Sequence, residues 1–423
     1  MIRGLSIIIL ILAATAAGWG ETPGIRAVAI NGPINPVTVE YLGAGLRESA
    51  HRQDRLFLIE MDTPGGLDAA MRAIVKEELA SSVPVAVYVT PSGGRAASAG
   101  ALIGIAADIL AMAPGTNIGA AHPVAIGEKP DTAMQEKMVN DAEAYAEGIA
   151  RQRGRNGEVV GRMVRQSISL PADKALASGV IDLVAADRTE LLKLLDGRVV
   201  RRDKKEIVLH LAGARIVPLG MTWRQRVLNT ISDPDVAYAL MMIGMLGIFF
   251  ELANPGVVLP GTVGGISLLL SLFAFQTLPV NYAGVLLILL ALVLFIAEIK
   301  IASHGMLAVG GIVSMLFGSL LLFRSPEPYL RASLSVVLVT VFVTALAFFF
   351  VASKVVSVHR RKPVSGREGL VGEGGMAETD LDPEGKVFVR GEYWDALAEE
   401  RIGRGERIEV VAVEGMRLKV KRR

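Results

Sequence analysis

The segment that decides the fold of the N-terminal half runs LFLIEMDTPGG, from Leu56 to Gly66. Its first part, Leu56–Asp62, is mostly apolar and reads as a buried strand, which the following Thr-Pro-Gly-Gly ends abruptly. Apolar residues then recur at helical spacing from Leu67 to Leu79. The segment therefore predicts a strand, a glycine turn and a helix. Such a turn leaves backbone N–H groups free at a helix N-terminus, where an anion or oxyanion can bind.

A second strand and turn follow the first. Val85–Val89 again reads as a buried strand, and it leads to PSGGRAASAG at Pro91–Gly100. Small residues surround Ser98, as an exposed nucleophile at a tight turn requires, and we expect a helix to begin there. Ser98 is then either a nucleophile or simply the N-cap of that helix, a common role for serine. If it is a nucleophile, the N–H groups of Gly66 and Ala99 are the expected oxyanion donors on the two neighbouring turns.

A serine nucleophile needs a base to activate it. A hydrolase order of Ser98, Asp182 and His210 is conceivable, but His210 lies in what reads as a late strand. His122 lies on a loop before a proline, where a histidine is more often an exposed residue without a catalytic role. We therefore favour a lysine as the base.

Lys137 is the favoured lysine. It lies on a predicted helix from Thr132 to about Arg151, beside Met134 and Met138 on the flank of the apolar stripe. Burial lowers the pKa of a lysine, and a neutral amine within reach of a serine hydroxyl is a competent general base. Two alternatives stay open: Lys137 is a surface lysine whose stem covers apolar side chains, or Lys129, in the preceding loop, is the base.

The composition indicates a membrane protein. Of the 423 residues 52% are hydrophobic and only 20% are charged, and the mean hydropathy is +0.46. A net charge of +2 gives no basic surface of the kind that nucleic acid requires. The absence of cysteine excludes a disulfide scaffold, a zinc ribbon, an iron–sulfur cluster and a cysteine nucleophile. We expect no metal, no cofactor and no nucleic-acid partner.

The apolar residues divide the chain into regions. Residues 1–20 read as a secretory signal peptide, with an uncleaved anchor as the alternative. Residues 21–233 read as an exported α/β domain, 354–365 as a basic linker, and 366–423 as a separate domain. Between them, 234–353 contains about five membrane spans, with four as the alternative. Basic residues after the last span place the C-terminal domain in the cytoplasm. The expected spans are residues 236–250, 262–278, 283–300, 305–323 and 333–353.

Two acidic residues recur at similar places in the membrane region. Glu251 precedes Asn254-Pro255-Gly256, and Glu298 precedes Ser303-His304-Gly305. Charged groups at membrane depth are costly and often functional. Here both lie next to helix breakers at the ends of spans, so we favour a packing or capping role.

The C-terminal residues read as a small all-β domain. Short β-prone runs at 386–390, 407–413 and 416–420 alternate with glycine-containing turns, which favours an OB-type barrel. Binding of single-stranded nucleic acid would need more aromatic and basic residues. A protein-interaction or structural role is the better hypothesis.

Taken together, four motifs resemble the ClpP/crotonase superfamily: DTPGG (62–66), RAASAG (95–100), APGTNIG (113–119) and ALASGVID (175–182). With FELANPG (250–256), EIKIASHG (298–305) and the C-terminal domain, nearly the whole chain resembles the NfeD family of membrane-bound, ClpP-class serine proteases.

The resemblance implies a Ser/Lys dyad protease of a bacterial-type inner membrane that cleaves hydrophobic segments. Ser98 would be the nucleophile, Lys137 the base, and Gly66 and Ala99 the backbone oxyanion donors. It also implies a stomatin/prohibitin-like partner, contact with the lipid bilayer and a homo-oligomer. Two other classes of function remain as alternatives: a crotonase-like enzyme acting on an acyl thioester, and a non-catalytic membrane scaffold.

Overall fold

The structure is a computed structural model. It describes residues 23–125, 131–202, 205–253, 256–301, 303, 305–323, 325, 327–359 and 367–423. The predicted signal peptide and Lys129 lie outside the described residues, as does the second half of the predicted linker, residues 360–365. The chain divides into two compact units at Phe342–Val343, and each is described by itself.

The N-terminal domain is built on a six-stranded sheet of order β11-β1-β2-β3-β5-β8, in which every neighbouring pair is parallel. Of its central strands, β3 is fully buried and β2 is buried except at Glu60 and Asp62, because helices cover both faces of the sheet. The elements of its first half are β1 (Ile25–Asn31), α1 (Pro36–His51), β2 (Leu56–Asp62), α2 (Asp68–Ala80), β3 (Val85–Val89), β4 (Arg95–Ala97), α3 (Ala99–Ala106), β5 (Ile109–Met112) and β6 (Asn117–Gly119).

The second half of this domain completes the sheet and adds a small layer of order β4-β6-β7. Its elements are α4 (Thr132–Gln152), α5 (Gly157–Arg165), β7 (Ser169–Pro171), α6 (Ala172–Ala177), β8 (Leu183–Val184), α7 (Arg188–Leu195), β9 (Val199–Arg202), β10 (Lys205–Val208), β11 (Ile216–Pro218) and α8 (Trp223–Ile231). Because the strands of the main sheet are parallel, their carboxyl ends share one edge. The turns after β2 and β3 therefore meet, which is where such sheets bind ligands.

Five apolar helices follow, close to the ranges expected from the sequence: α9 (Pro234–Ala253), α10 (Val258–Ala274), α11 (Tyr282–Lys300), α12 (Met306–Leu322) and α13 (Leu334–His359). Among the described residues, Pro234–Leu252 is long and apolar enough to cross a membrane, and the apolar parts of the other four are shorter. Helix α13 continues to His359, so the first residues assigned to the basic linker are helical.

Glycines let these helices pack closely in two hairpins. In the α9–α10 hairpin, a Cβ added at Gly264 would lie 2.8 Å from the carbonyl oxygen of Gly244. In the α11–α12 hairpin, a Cβ added at Gly318 would lie 2.9 Å from the carbonyl oxygen of Gly284. Small residues at such positions allow helix backbones to approach within a membrane.

The capping role expected of Glu298 is confirmed. Its carboxylate accepts hydrogen bonds from the Ser303 hydroxyl and from the N–H groups of Gly305, Leu307 and Ala308 at 2.9, 3.1 and 3.3 Å. It therefore satisfies the free donors at the start of α12. Among the described residues, the corresponding Glu251 accepts a weaker bond, from the Gly256 N–H at 3.4 Å.

The C-terminal unit contains a closed five-stranded barrel of order β12-β13-β14-β16-β15. Strands β14 and β16 pair in parallel and the other neighbours are antiparallel, as a Greek-key barrel of the OB type requires. The sequence patterns missed β12 and β14. The elements of the barrel are α14 (Arg367–Leu370), β12 (Gly374–Ala377), β13 (Glu384–Val389), β14 (Glu392–Ala398), β15 (Arg407–Glu414) and β16 (Arg417–Arg422).

Candidate active site

The turns after β2 and β3 are joined by backbone hydrogen bonds. The Thr63 N–H donates to the Arg95 carbonyl oxygen at 2.7 Å, and the Ala97 N–H donates to the Thr63 carbonyl oxygen at 3.1 Å. The Asp62 carboxylate accepts from the Arg95 N–H at 3.0 Å. These bonds hold the residues before Ser98 against the glycine turn.

Ser98 has a backbone conformation that few residues other than glycine adopt. Its φ is +52° and its ψ is −118°, between the end of β4 and the first residue of α3. Its N–H donates to the Gly119 carbonyl oxygen at 2.9 Å, which helps to hold this geometry. The half-buried side chain makes no capping hydrogen bond to α3, so the N-cap interpretation of the hydroxyl is wrong. Strain of this kind is concentrated at functional sites.

Gly65 is the glycine that touches Ser98, and sequence reasoning missed it. Its φ is +113°, and a Cβ added to it would lie 2.6 Å from the Ser98 Cβ and 3.2 Å from the Ser98 Oγ. The Gly-Gly pair signalled a tight turn, but nothing in the sequence distinguished the glycine that faces the serine from its neighbour.

Gly66 packs against a different segment. A Cβ added to it would lie 2.1 Å from the Ile34 carbonyl oxygen. The Ile34 N–H donates to the Gly65 carbonyl oxygen at 2.8 Å, and the Leu67 N–H donates to the Ile34 carbonyl oxygen at 3.0 Å. In this parallel bridge the N–H of Gly66 itself points away from Ile34.

Ala99 begins α3 and is buried. The first N–H groups of a helix have no acceptor within the helix, so this group is available to a ligand beside Ser98. The next residue, Gly100, lets the helix approach the first turn, since an added Cβ would lie 2.3 Å from the Thr63 Cγ2.

Lys137 is exposed in the single chain. Helix α4 begins after Asp131, whose carboxylate accepts from the Met134 N–H at 2.7 Å, and its first residues project from the domain. The stripe that packs begins later than expected, and Met134 is 51% exposed. Within 23–125 and 131–202, no hydrogen bond joins Ser98 to Lys137. The buried residues of the helix are Val139, Ala142, Ala146, Ile149 and Ala150.

The three groups of the alternative hydrolase order do not come together. Asp182 accepts from the N–H of Leu110, near the start of β5, and from Arg155 at 2.7 Å. The His210 carbonyl oxygen accepts from Arg55, just before β2. Both lie at the amino ends of strands, the edge opposite Ser98. His122 also has another partner, because its Nδ1 lies 3.0 Å from the Val164 carbonyl oxygen.

The site offers no ligand set for a metal. In the part of the chain that the structure describes, no group of three or more His, Asp or Glu side chains could hold an ion. The groups that the structure places at this turn are the Ser98 hydroxyl and backbone N–H groups.

Three domain models of one family match this chain in succession: the NfeD1b N-terminal domain at residues 25–216, the NfeD integral membrane domain at 235–354, and the NfeD-like C-terminal, partner-binding domain at 367–422. Membrane-bound protease PH1510 of Pyrococcus horikoshii is 34% identical over 411 residues, which cover 94% of this chain and 93% of the relative. This chain belongs to the NfeD family.

One further relative matches over nearly its full length, and a solved structure matches the N-terminal half of the chain. Membrane protein NfeD1b of Bacillus subtilis is 27% identical over 95% of this chain and 93% of its own. A solved structure described as the 1510-N membrane protease specific for a stomatin homolog, from Pyrococcus horikoshii, is 30% identical. It covers 49% of this chain and 98% of its own, with a TM-score of 0.44. The NfeD chain is thus a membrane protein with an α/β domain, a helical membrane domain and a small β-barrel.

Proposed function

We propose that this NfeD protein is a membrane-anchored serine endopeptidase. Ser98 attacks the carbonyl carbon of a peptide bond, and neutral Lys137 takes the hydroxyl proton and later gives it to the leaving amine. The N–H groups of Gly66 and Ala99 bind the oxyanion, and water then hydrolyses the acyl-enzyme. Each such donor is worth about 2.7–4 kcal/mol of transition-state stabilisation.

The backbone of Ser98 carries the proposal. A strained serine between a strand and a helix, whose hydroxyl makes no capping bond to that helix, is typical of the nucleophile elbow of other hydrolases. A serine that only capped a helix would adopt an extended backbone and bond to the helix. A crotonase-like reaction would need the oxyanion donors alone, so it does not account for this conformation.

Because Lys137 is exposed in the single chain, another surface must cover it before its amine can act as the base. The first turns of α4 project from the domain, and Met134 beside Lys137 is also exposed. We infer that a bound apolar substrate or a second copy of the chain covers this surface. Covering it would bring the amine toward Ser98 and remove water from around it, which favours the neutral form.

The proposed substrate class rests on the family and on the helical membrane region of the chain. The solved relative is described as specific for a stomatin homolog, so a stomatin-like membrane protein is the proposed substrate and partner. Helices α9–α13 are proposed as five spans. An odd number of spans leaves the α/β domain outside and the barrel in the cytoplasm, in agreement with the basic residues 360–362.

Peptide cleavage by the full chain in lipid nanodiscs tests the dyad. Ser98→Ala should abolish cleavage of an apolar peptide, and Lys137→Ala should lower kcat by at least about a hundredfold. Ser92→Ala and Lys76→Ala are the matched controls. Ser92 lies in the same glycine-rich segment, bonded to the Pro114 carbonyl oxygen, and Lys76 is an exposed helical lysine. Both controls should cleave at the wild-type rate.

The same assay separates the alternative functions. Full activity in Ser98→Ala would contradict the proposal. Turnover of an acyl thioester by that variant would indicate the crotonase-like reaction. Unchanged membrane function in cells that carry it would indicate a scaffold.

A further inference from the structure

Helix α8 has an apolar face that points away from the protein. Trp223 and Val227 are four residues apart, so they lie on the same side of the helix, and they are 74% and 47% exposed. Gln225, on the opposite side, is buried. Two arginines, Arg224 and Arg226, flank the apolar pair. An exposed tryptophan between cationic side chains is typical of helices that lie at a lipid–water interface.

The inner side of α8 is bonded to the N-terminal domain. The Asn35 side chain donates to the Asn229 side chain at 2.9 Å. Glu40, on α1, accepts from Arg224 at 2.5 Å and from Gln225 at 3.2 Å. These bonds fix the orientation of α8 relative to the domain, so that its apolar face can project in only one direction.

Helix α8 also leads directly into the membrane region. Asp233 joins it to α9, and its carboxylate accepts from the Asp235 N–H at 2.9 Å. Since α9 and α10 form a hairpin, α11 begins at the same end as α9. Tyr282, the first residue of α11, is 81% exposed. Two exposed aromatic side chains thus mark one end of the helices, as in an aromatic belt.

This end of the helices lies on the Ser98 side of the domain. Asn35, which holds α8, directly follows Ile34, and Ile34 is bonded to the glycine turn that touches Ser98. Tyr329, between α12 and α13, also lies within electrostatic range of Arg95, three residues before Ser98. Burial and Glu327 nevertheless raise the pKa of Tyr329 to about 12.

We propose that α8 lies in the headgroup region of the bilayer, with Trp223 as its anchor, and so holds the Ser98 edge of the sheet at the membrane surface. The occupant of the exposed face is lipid, because α8 leads directly into the membrane helix α9. If the proposed protease activity holds, the peptide bonds within reach are those where a substrate's membrane segment emerges from the bilayer.

Fluorescence quenching locates Trp223 directly. The full chain is prepared with Trp19→Phe and Trp394→Phe, so that Trp223 is the remaining tryptophan, and is placed in nanodiscs containing brominated phosphatidylcholine. Trp223 should be quenched by the lipid and shielded from aqueous iodide. The control has Trp223→Phe and Leu194→Trp. Leu194 is 49% exposed on α7, toward the far edge of the sheet, and the introduced tryptophan should show the reverse.

Equal iodide quenching at the two positions would overturn the proposal. Shielding of Trp223 from iodide without quenching by brominated lipid would also overturn it, because a protein surface would then cover the face.

Cleavage supplies an independent readout. Trp223→Ser with Val227→Ser should lower cleavage of a single-span peptide in the same nanodisc about tenfold, the effect of losing the burial of one large apolar side chain. Cleavage of a soluble apolar peptide should not change, and Trp223→Tyr should restore the membrane rate. Equal rates on both substrates in the double variant would overturn the inference. A wild-type chain that cleaves neither peptide would defeat the proposed protease, while the quenching result would still decide where α8 lies.

Discussion

Substituting alanine for Gly65 perturbs the proposed nucleophile without removing any catalytic group. The new Cβ would lie 2.6 Å from the Ser98 Cβ, where ordinary contact begins near 3.4 Å, so Ser98 or the turn must move by about 0.8 Å. A φ of +113° adds about 1–3 kcal/mol of backbone strain for a residue with a side chain. A displacement of about 1 Å in a reacting group can lower the rate about a hundredfold. We therefore expect kcat/KM to fall by roughly that factor.

Gly93→Ala separates the collision from the backbone strain. Gly93 lies in the same segment as Ser98 with a φ of +87°, and nothing lies within 4 Å of a Cβ added there. The control variant should lose stability to a similar extent and keep most of its peptidase activity. Peptide cleavage and thermal unfolding are measured for both variants in nanodiscs. Wild-type activity in Gly65→Ala, or an equal loss in Gly93→Ala, would refute the assigned contact with Ser98.

Three further predictions concern a glycine of the candidate site, a buried glutamate of the α/β domain and the two glutamates at the ends of membrane helices. Gly66→Ala should reduce both activity and thermal stability, since its Cβ would collide with the Ile34 carbonyl oxygen; unchanged unfolding would contradict that packing. Burial raises the pKa of Glu78 in the folded protein well above its usual range. The free energy of unfolding therefore falls as the pH rises from the ordinary pKa of a glutamate toward the raised one. Glu78→Gln should therefore gain in melting temperature over wild type from about pH 5 to about pH 8, and a constant difference would exclude the effect. Glu298→Ala should lower the melting temperature of the protein in nanodiscs, and Glu251→Ala should lower it less, because Glu298 accepts more hydrogen bonds; a larger loss in Glu251→Ala would contradict the capping role of Glu298 at α12.

Periodicity predicted the elements that bury continuous apolar surface. The strand at Leu56–Asp62 and the five apolar helices lie within a few residues of their expected positions, because burial requires an apolar pattern that is visible in the sequence. Strands β12 and β14 were missed because their residues do not show such an apolar pattern. Residues 374–377 are glycine-rich, and 392–398 carry charge and alanine on a barrel face that alternates between solvent and core.

The segments that form the site were predictable from the sequence, but their detailed geometry was less so. Small residues around Ser98 indicated an exposed turn, and the Gly-Gly pair indicated a close approach of two backbones. Which glycine faces the serine depends on the positive φ at Gly65, and that follows from hydrogen bonds with Ile34, a residue distant in sequence. The environment of Lys137 depends on where the packed stripe of α4 begins, and the methionines beside it gave an apolar signal in a region that stays exposed.

The proposed mechanism requires a covalent acyl-enzyme on Ser98, which intact-mass spectrometry detects. The full chain in nanodiscs is mixed with an activated ester of an apolar peptide, quenched in acid, and digested to locate the adduct. We expect one acyl group on Ser98, absent from Ser98→Ala, unchanged in Ser92→Ala, and formed slowly in Lys137→Ala. No adduct on wild type, or an adduct that persists when Ser98 is replaced, would contradict it.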